Sequence, residues 1–321
     1  FLAPKAGMSA YPAREMCGRI AAVGIGADPA VVLKDAEPYA CYDRLDIEGL
    51  LPRRALDIHK GERGGVLICG GSENYRGAPL LAALGALRAG AGLVVLAIPD
   101  FMLDSASALL PEAVLAPIPT VNGDLAVEHL NDVISPWFKK CRAAVFGPGL
   151  GRRGCVDEAE KWFLGSWPSP LLIDADGLYF LGRHKADFPR RNDLVITPHT
   201  GEAAALLGIA PQDVAADRKK AVKALNEIAG VALLKGSGTL VSDSFEIRKM
   251  LEGSQSLAVP GSGDVLSGVT GAFLAAGLSV FDAATAGALV HAAAGSLLAE
   301  KRGVNGILAR EIADEISTLV G

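Results

Sequence analysis

Short apolar runs alternate with longer helical patterns along most of the chain. The run GVLICGG at residues 65–71 is apolar at every position before its last glycines, and the runs at 171–173 and 194–196 stop before aspartate and before Thr-Pro. Strands without polar alternation are typical of parallel sheets that are covered on both faces. Helical patterns separate these runs, for example at 80–88 and 214–228. The order of strands and helices predicts an α/β protein.

The most apolar stretches lie near the carboxyl end, at residues 265–278 and 283–298. Each is shorter than the ~20 residues that a membrane-spanning helix needs and is bounded by glycine, aspartate or glutamate. We therefore interpret both as buried core helices and expect no membrane partner. Three helices are predicted at this end, at about 264–276, 283–300 and 309–320.

The first 42 residues differ from the rest of the chain. They are rich in turn-forming residues and carry too little periodic apolar sequence to build a core of their own. We interpret residues 1–42 as an extension or remnant. No repeat of fixed period and no low-complexity linker divides residues 43–321, which we expect to form one domain.

Composition narrows the possible partners. Half of the 321 residues are hydrophobic, the net charge is -5, and basic residues do not cluster. This argues against nucleic acid as a partner, while a nucleotide remains compatible because a few backbone amides can hold its phosphates. The five cysteines are odd in number and lack CxxC spacing, which indicates a reducing, cytoplasmic location.

The glycine-rich turn VPGSGDVLSGVTG at residues 259–271 carries the clearest chemistry. Gly261, Ser262 and Gly263 have little or no side chain, so their backbone N–H groups can converge on an anion at the start of the following helix. Asp264 places a carboxylate beside this phosphate cradle, where it could accept a proton from a hydroxyl that becomes a nucleophile. The alternative is that Asp264 only caps its helix.

Other candidate residues follow predicted strands. The strand at 143–146 runs into GPGLGR with Gly149, and the strand at 194–196 runs into TPHTGE with His199 and Glu202. Glu202 is either a helix-start acid or a group that orders water around a phosphate-bound Mg²⁺. Lys235 begins KGSGT, which suggests a clamp on nucleotide phosphate or ribose. Asp174 and Asp176 in DADGL are too divergent in direction for an acid/base pair, so one is expected to face the site and the other to cap a turn.

Seven blocks occur in order: HKGERGGVLICGGSENYRGAP, LRAGAGLV, GPGLGR, LLIDADGL, TPHTGE, LKGSGTLV and GSGDVLSG. Together they resemble the NAD(P)H-hydrate dehydratases of the ribokinase superfamily over nearly all of residues 43–321. The opening KAGMSAYPAREMCGRIAAVGIG resembles the tail of the NAD(P)H-hydrate epimerase domain that precedes the dehydratase in bifunctional members. The resemblance implies a ribokinase-like fold with a central, mostly parallel sheet and helices on both faces.

The resemblance also implies a function. Its members dehydrate the S-epimer of hydrated NADH or NADPH (NADHX or NADPHX) with ADP or ATP and Mg²⁺, and they tend to assemble, often as tetramers. Asp264 would be the catalytic base. The substrate would contact Ala78, Gly149, His199 and Asp264. The nucleotide would contact Lys235, Gly236, Ser237, Gly238, Thr239, Gly261, Ser262 and Gly263, with Glu202 contributing indirectly to the metal.

One segment departs from the family pattern. Where the family reads close to GNPGMATGGSGD, this chain reads GSQSLAVPGSGD, with Ser254, Gln255 and Ser256 in place of Asn-Pro-Gly and Pro260 in place of glycine. Pro260 removes a backbone donor beside the cradle, which puts nucleotide preference in question. Two other functions stay open: a small-alcohol kinase of the same superfamily, and a non-catalytic nucleotide sensor. For Gly149 and Gly238, a turn requirement is the structural alternative to ligand contact.

Overall fold

A ten-stranded sheet runs through the protein. The computed structural model describes residues 40–52, 63–184 and 187–321, together with Met16, Gly26 and Asp28. The strands of this sheet are β1 (Ala40–Tyr42), β2 (Gly65–Cys69), β3 (Leu93–Pro99), β4 (Val114–Ile118), β7 (Cys141–Phe146), β8 (Leu171–Ile173), β9 (Leu194–Ile196), β10 (Val231–Leu234), β11 (Leu240–Ser242) and β12 (Ile247–Met250). A separate two-stranded ribbon consists of β5 (Thr120–Val121) and β6 (Asp124–Leu125).

The strand order in the large sheet is β1-β12-β11-β10-β9-β8-β7-β2-β3-β4. Every neighbouring pair is parallel except those that involve β11, which is antiparallel to both β10 and β12. Parallel strands end at the same edge of a sheet, so the loops after β2, β7, β8, β9 and β10 meet there. The predicted α/β arrangement with a mostly parallel sheet is confirmed.

Helices connect and cover the strands. They are α1 (Ile47–Leu50), α2 (Gly77–Arg88), α3 (Leu103–Leu109), α4 (Leu130–Ile134), α5 (Gly154–Ser166), α6 (Asp176–His184), α7 (Thr200–Leu207), α8 (Pro211–Ala216), α9 (Arg218–Leu225), α10 (Ser262–Ala275), α11 (Val280–Arg302) and α12 (Ala309–Ile316). The single helix predicted at 214–228 is wrong. Asp217 leaves the helical region with φ -138 and caps a new helix by accepting from the Lys220 N–H at 2.9 Å.

Two apolar cores lie on opposite faces of the sheet. Along β2, Val66 and Ile68 face one core and Leu67 and Cys69 face the other, and all four are fully buried. Helices α2, α10, α11 and α12 cover the first face, and α4 to α7 with α9 cover the second. Alternate side chains of one strand thus serve two layers, which is why the strand has no polar position.

Helix α10 lies in the middle of the first layer and is positioned by small residues. A Cβ on Gly268 would come within 1.8 Å of the Ala82 carbonyl oxygen in α2, and a Cβ on Gly271 within 2.6 Å of the Val145 side chain in β7. A Cβ on Gly287 of α11 would lie 2.3 Å from Thr270 Oγ1. Because backbones touch at these positions, α10 is held closely by the sheet and by two helices.

Helix α11 is long and apolar enough to cross a membrane by length and composition alone. However, 78% of its most apolar window is buried inside the protein. The helix packs on the sheet face and against α10 and α12, as the prediction of a core helix required.

The edge strand β1 joins the parallel ladder through Ala40, Cys41 and Tyr42, which pair with Arg248, Lys249 and Met250. The last three residues of the predicted extension therefore belong to the sheet of the main domain. Apart from Met16, Gly26 and Asp28, the rest of residues 1–42 lies outside the described residues, so an epimerase remnant there stays a prediction.

Candidate active site

A cleft of about 1770 Å³ opens at the edge where the parallel strands end. Its walls include the predicted nucleotide residues Lys235, Gly236, Ser237, Gly238, Thr239, Ser262 and Gly263, together with His199. These residues come from three loops that are far apart in sequence. The cleft thus brings together the ends of β9 and β10 and the start of α10.

The start of α10 forms the predicted anion cradle. Gly261 is the N-cap in the left-handed region with φ 86, and no side chain caps the helix. The Ser262 N–H donates to the Val259 carbonyl at 3.2 Å, and the next amides of the first turn lack acceptors within the helix. Asp264 lies inside the first turn rather than at the cap, so the helix-cap interpretation of Asp264 is wrong.

Asp264 is a carboxyl group in an unusual electrostatic position. Burial raises its pKa from 3.8 to about 7; the charges of Asp174 and Asp176 also raise it, whereas Lys235 lowers it. Across the described residues, no group donates a hydrogen bond to this carboxyl. A partly buried carboxylate without a partner and with a pKa near neutrality is suited to accept a proton from a ligand.

A buried ion pair lies beside Asp264. Lys235 Nζ is 2.7 Å from Asp174 Oδ1, and the other oxygen of Asp174 accepts from the Ser267 hydroxyl. Asp174 is only 1% exposed. Burial alone would raise the pKa of Asp174, but Lys235 and Ser267 hold the pKa of this carboxyl below its usual value. Burial alone would lower the pKa of Lys235, but Asp174 and Glu202 raise the pKa of this ammonium group above its usual value. The pair is charged and fixes the ammonium group at the cleft wall.

His199 and Glu202 form a capping box at the start of α7. His199 Nδ1 accepts from the N–H groups of Gly201 at 2.9 Å and Glu202 at 3.3 Å, and Glu202 Oε2 accepts from the His199 N–H at 2.8 Å. The imidazole proton is therefore on Nε2, 3.3 Å from Glu202 Oε1. Burial and Lys235 lower the pKa of His199, and burial raises that of Glu202 to about 7. His199 is thus a neutral hydrogen-bonding group at the cleft.

Ala78 and Gly149 lie together, but away from the cleft walls described above. A Cβ on Gly149 would come within 2.9 Å of Ala78 Cβ and 2.6 Å of the Tyr75 carbonyl oxygen. The Ser72 hydroxyl donates to the Gly149 carbonyl at 2.8 Å, which joins the loops after β2 and β7. The two residues form a second, small-residue surface at the same edge of the sheet.

Asp174 and Asp176 connect the two surfaces. Asp176 Oδ2 accepts from the Gly151 N–H at 2.8 Å, while the Asp174 side chain holds Lys235 at the cleft. The charges of both aspartates and of Lys235 act on Asp264, so this carboxyl shares their electrostatic environment at this edge of the sheet. Asp174 holds the cleft lysine, as expected for the aspartate that faces the site, whereas the expectation that the other caps the next turn is wrong, because the Asp176 side chain binds the loop after β7 instead.

Some predicted glycines are required by the fold itself. Gly149 and Gly238 have φ 68 and 63, and a Cβ on Gly238 would lie 2.9 Å from Lys249 Cε. A Cβ on Gly261 would lie 2.4 Å from Leu81 Cδ1, so Gly261 packs against α2 and is not among the cleft-lining residues. Backbone conformation and packing account for glycine at these three positions, whether or not a ligand contacts them.

The segment that departs from the family pattern is an ordered part of the cleft. Ser254 caps a short 3-10 turn at Gln255–Leu257, and its hydroxyl lies 2.6 Å from that of Ser256. The Ser256 hydroxyl donates to the Gly295 carbonyl at 2.8 Å, which fastens the segment to α11. Pro260 is exposed at the turn before the cradle. Serine side chains thus supply the hydrogen bonds that hold this segment.

Two polar residues of the site were not among the predicted ligands. Asp174 is predicted only as one of two aspartates of which one faces the site, and its partner Lys235 is 61 residues away, so no local pattern reveals the pair. His291 lies in α11, 7% exposed, with Nε2 3.1 Å from the Ser262 hydroxyl. Burial lowers the pKa of His291 to about 4, so it is neutral. Its only sequence signal is a lone histidine in an apolar helix.

Comparison with known proteins extends this description. A Bacillus subtilis ADP/ATP-dependent NAD(P)H-hydrate dehydratase, co-crystallised with ATP and Mg²⁺, superposes with a TM-score of 0.74 at 24% identity, covering 88% of this chain and 98% of the other. A ribokinase-like superfamily protein from Enterococcus faecalis gives a TM-score of 0.77 at 20% identity, covering 88% and 95%. The likeness to both structures confirms the ribokinase-like fold.

Two relatives are more similar to this chain in sequence than these two solved structures are. The ADP-dependent (S)-NAD(P)H-hydrate dehydratase of Neisseria meningitidis is 40% identical over 81% of this chain and 86% of its own length. The bifunctional NAD(P)H-hydrate repair enzyme of Thermanaerovibrio acidaminovorans is 36% identical over all of this chain, which spans 63% of that relative. The family model for NAD(P)H-hydrate dehydratase matches residues 66–318. The chain therefore belongs to the NAD(P)H-hydrate dehydratase family.

Proposed function

We propose that this chain restores NADH and NADPH from the S-epimers of their hydrates in a reaction that consumes ADP or ATP. The observation that carries the proposal is Asp264: a carboxyl that has no hydrogen-bond partner within the described residues, has a pKa of about 7, and lies in the first turn of α10 directly after the cleft-lining Ser262 and Gly263. Two separate surfaces suit two ligands, one nucleotide and one hydrated cofactor. The family relatives named above carry the same activity in their names.

The cleft residues fit an adenine nucleotide. Its volume of about 1770 Å³ is ample for a nucleotide, and glycines at 236, 238 and 263 let a ligand approach the backbone closely. The uncapped start of α10 offers N–H groups and the positive end of the helix dipole to a phosphate. Lys235 adds a fixed positive charge. The chain's own donors thus match the charge of a nucleotide's terminal phosphates.

Magnesium fits less directly. Within the described part of the chain, no group of three or more histidine, cysteine, aspartate or glutamate side chains could hold a metal ion. Mg²⁺ commonly keeps several waters and binds substrate phosphates, so the ion would come with the nucleotide. Glu202 already accepts from the His199 N–H and faces Lys235 Nζ at 3.8 Å, which leaves it an indirect contact at most.

In the proposed reaction Asp264 takes the proton of the substrate's C6 hydroxyl. Its raised pKa makes it a stronger base than an ordinary aspartate while leaving a large ionised fraction near neutral pH. The bound nucleotide supplies the phosphoryl group that turns this oxygen into a phosphate leaving group. The neutral His199 Nε2–H and the close-packed backbone at Ala78 and Gly149 position the hydrated ring.

The phosphate then leaves, assisted by the lone pair of the ring nitrogen, and the C5 proton passes to water, which restores the ring double bond. The phosphoryl transfer itself needs stabilised charge. Phosphoryl transfer depends mostly on alignment and on donors aimed at the charged oxygens. The first-turn amides of α10 and the Lys235 ammonium group provide these donors. Ser267 and Asp174 keep the ammonium group in place, because a buried lysine without its carboxylate would lose much of its charge.

The test is recovery of dihydronicotinamide absorbance from NADHX, with ADP and ATP supplied separately. We expect recovery with at least one nucleotide and stoichiometric loss of its terminal phosphoryl group. The proposed function is overturned if the wild-type protein binds nucleotide but restores no NADH from NADHX with either ADP or ATP. An alcohol kinase would instead consume ATP only with a different hydroxyl substrate, and a sensor would bind nucleotide without consuming it.

Three finer points belong to the same proposal. The bifunctional relatives suggest a functional link to an NAD(P)H-hydrate epimerase. We propose a cytoplasmic location, supported by the free state of Cys41, Cys69, Cys141 and Cys155. We also propose a homo-oligomer, with a tetramer as the expected state, which a mass measurement in solution tests directly.

A further inference from the structure

A half-buried arginine lies behind the loop that follows β10. Arg218, the first residue of α9, donates through Nη2 to the Leu234 carbonyl at 3.0 Å. It also donates to the Lys235 carbonyl through Nη2 at 3.3 Å and Nη1 at 3.4 Å. Arg218 thus binds the last two carbonyls before the glycines of KGSGT.

The charge of Arg218 is not balanced by a carboxylate in the described part of the chain. Its contacts there are carbonyl oxygens, and its buried Nε has no hydrogen-bond partner. Burial lowers the pKa of Arg218, and no anionic group raises it. Lys249 lies nearby, with its pKa lowered by burial and by Arg218. A buried cation that lacks an anion is costly, which favours a negative charge close to this loop.

The contacts of Arg218 determine the direction of the Gly236 N–H, because this N–H and the Lys235 carbonyl belong to the same peptide group. A trans peptide is planar, with its C=O and N–H pointing in opposite directions. Because the Lys235 carbonyl points at Arg218, the N–H of the same peptide, on Gly236, points away from it. Within the described residues this N–H has no acceptor. Gly236 lines the cleft, so its N–H is available to a ligand there.

Gly236 is also fitted to Arg218. Its φ of 137 is one that side-chain-bearing residues rarely adopt, and a Cβ would lie 3.0 Å from Arg218 Nη1. By contrast, the Lys235 N–H is already used, since it donates to the Pro198 carbonyl at 2.9 Å. One peptide of the strand end is therefore fixed to the sheet and the next is turned by Arg218 toward the cleft.

We propose that Arg218 is a positioning residue for nucleotide binding: it holds the Lys235 carbonyl so that the Gly236 N–H donates to a phosphate oxygen of ADP or ATP. The phosphate in turn supplies the negative charge that the Arg218 environment lacks. This inference rests on the nucleotide dependence proposed above. It concerns binding alone, so it can be tested even if turnover of NADHX is never observed.

The test compares three variants of the full chain. Arg218→Met removes the donors and keeps most of the packing, Arg218→Lys keeps the charge but loses the two-carbonyl fork, and Lys220→Met is a matched control on the exposed side of α9. Dissociation constants for ADP and ATP come from calorimetry, and KM for NADHX and kcat at saturating nucleotide come from the absorbance assay. Thermal unfolding checks that each variant folds.

We expect Arg218→Met to weaken nucleotide binding about tenfold, the loss typical of one misplaced hydrogen bond to a charged group, with KM for NADHX nearly unchanged. Arg218→Lys should recover only part of the affinity, and Lys220→Met should bind as the wild type does. Wild-type affinity in Arg218→Lys would mean that charge alone matters and would overturn the orienting role, as would unchanged nucleotide affinity in a folded Arg218→Met.

Hydrogen exchange provides a second measurement that does not depend on the stability of the methionine variant. Adding ADP to the wild-type protein should slow exchange of the Gly236 amide, because that N–H becomes hydrogen-bonded. In Arg218→Lys the slowing should be smaller. An amide that exchanges equally fast with and without saturating ADP in the wild type contradicts the proposal. Absence of ADP binding to the wild type would instead count against the proposed nucleotide dependence.

Discussion

Replacing Asp264 by asparagine should abolish most of the activity and at the same time stabilise the protein. The folded state raises the pKa of Asp264 from 3.8 to about 7, a rise of about three units, which corresponds to ~4 kcal/mol. This is the free energy that the fold loses when the carboxyl must be ionised in its site. Asparagine has nearly the same shape and carries no charge at any pH, so it avoids this cost.

The sign of the pH dependence follows from the raised pKa. The folded state binds the proton more tightly than the unfolded state, so the wild type keeps its full stability below about pH 3.8 and loses it as the pH rises through about 7. Above that pH, Asp264→Asn should exceed the wild type by up to ~4 kcal/mol in free energy of unfolding, and the difference should shrink toward pH 4. Denaturant unfolding at pH 5 and pH 8 measures both values.

The activity of the same variant should move in the opposite direction. Loss of a positioned general base typically costs ~10²–10⁴-fold in rate, and the wild-type rate should rise with pH along a limb centred near 7. Asp132, exposed on α4, gives a matched control, since Asp132→Asn makes the same chemical change away from the site. The reasoning fails if Asp264→Asn retains the wild-type rate, or if it is less stable than the wild type at pH 8.

Other predictions concern stability and the two ligand surfaces. Burial and then Asp157 raise the pKa of Glu160, which has no partner within the described residues, from 4.5 to about 9, so its neutral form is favoured and the protein loses stability as the pH rises through that range. Glu160→Gln should therefore raise the unfolding temperature more at pH 8 than at pH 5. An equal rise at both pH values would contradict this prediction. Pro260→Gly restores a backbone donor beside the cradle and should tighten ADP binding severalfold in calorimetry, while the free energy of unfolding falls by ~0.5–1 kcal/mol. An unchanged ADP affinity would show that Pro260 does not determine the nucleotide preference. Gly149 has φ 68, and an added Cβ would lie only 2.9 Å from that of Ala78. Gly149→Ala should therefore raise KM for NADHX and leave the ADP dissociation constant unchanged. A weaker ADP affinity with an unchanged KM for NADHX would instead place Gly149 at the nucleotide.

The central strands could be predicted from sequence to within one or two residues because both faces of the sheet are covered, whereas the edge strand β1 and the ribbon of β5 and β6 were not predicted. Each central strand is a short apolar run that ends in glycine, aspartate or Thr-Pro, and the strands at 171–173 and 194–196 coincide with their predicted bounds. The helix at 214–228 failed for a local reason. Pro211 begins one helix and Asp217 caps the next, and these two signals are weaker than the apolar periodicity that continues through both.

Individual residues of the site could be predicted from the sequence, but the contacts between them could not. Glycine-rich loops after strands must meet at one edge of a parallel sheet, so Lys235, His199 and Asp264 could be expected near one another. The pairing of Lys235 with Asp174 depends on the spacing of two strands and on the depth of both side chains. The capping role of His199 is also hidden, because histidine is not among the residues that usually begin helices.

The hydrogen bonds of the acidic residues distinguish structural from chemical roles at this edge of the sheet. Asp174 binds Lys235 and Ser267, Asp176 accepts from the Gly151 N–H, and Glu202 accepts from the His199 N–H. Asp174 and Asp176 each join two separate segments of the chain, Glu202 closes the start of its own helix, and all three carboxylates are engaged by the protein itself.

Asp264 differs from those three acids because no donor in the described part of the chain reaches it, although burial raises its pKa to about 7, as it does that of Glu202. A fold gains nothing in stability from such a group and loses free energy whenever it ionises. A ligand that interacts with this carboxyl can offset the cost, and a hydroxyl proton is a partner that a carboxyl with a pKa of about 7 is suited to take. The unpartnered state of Asp264, together with its place in the GSGD turn, therefore supports our proposal that it is the reacting group.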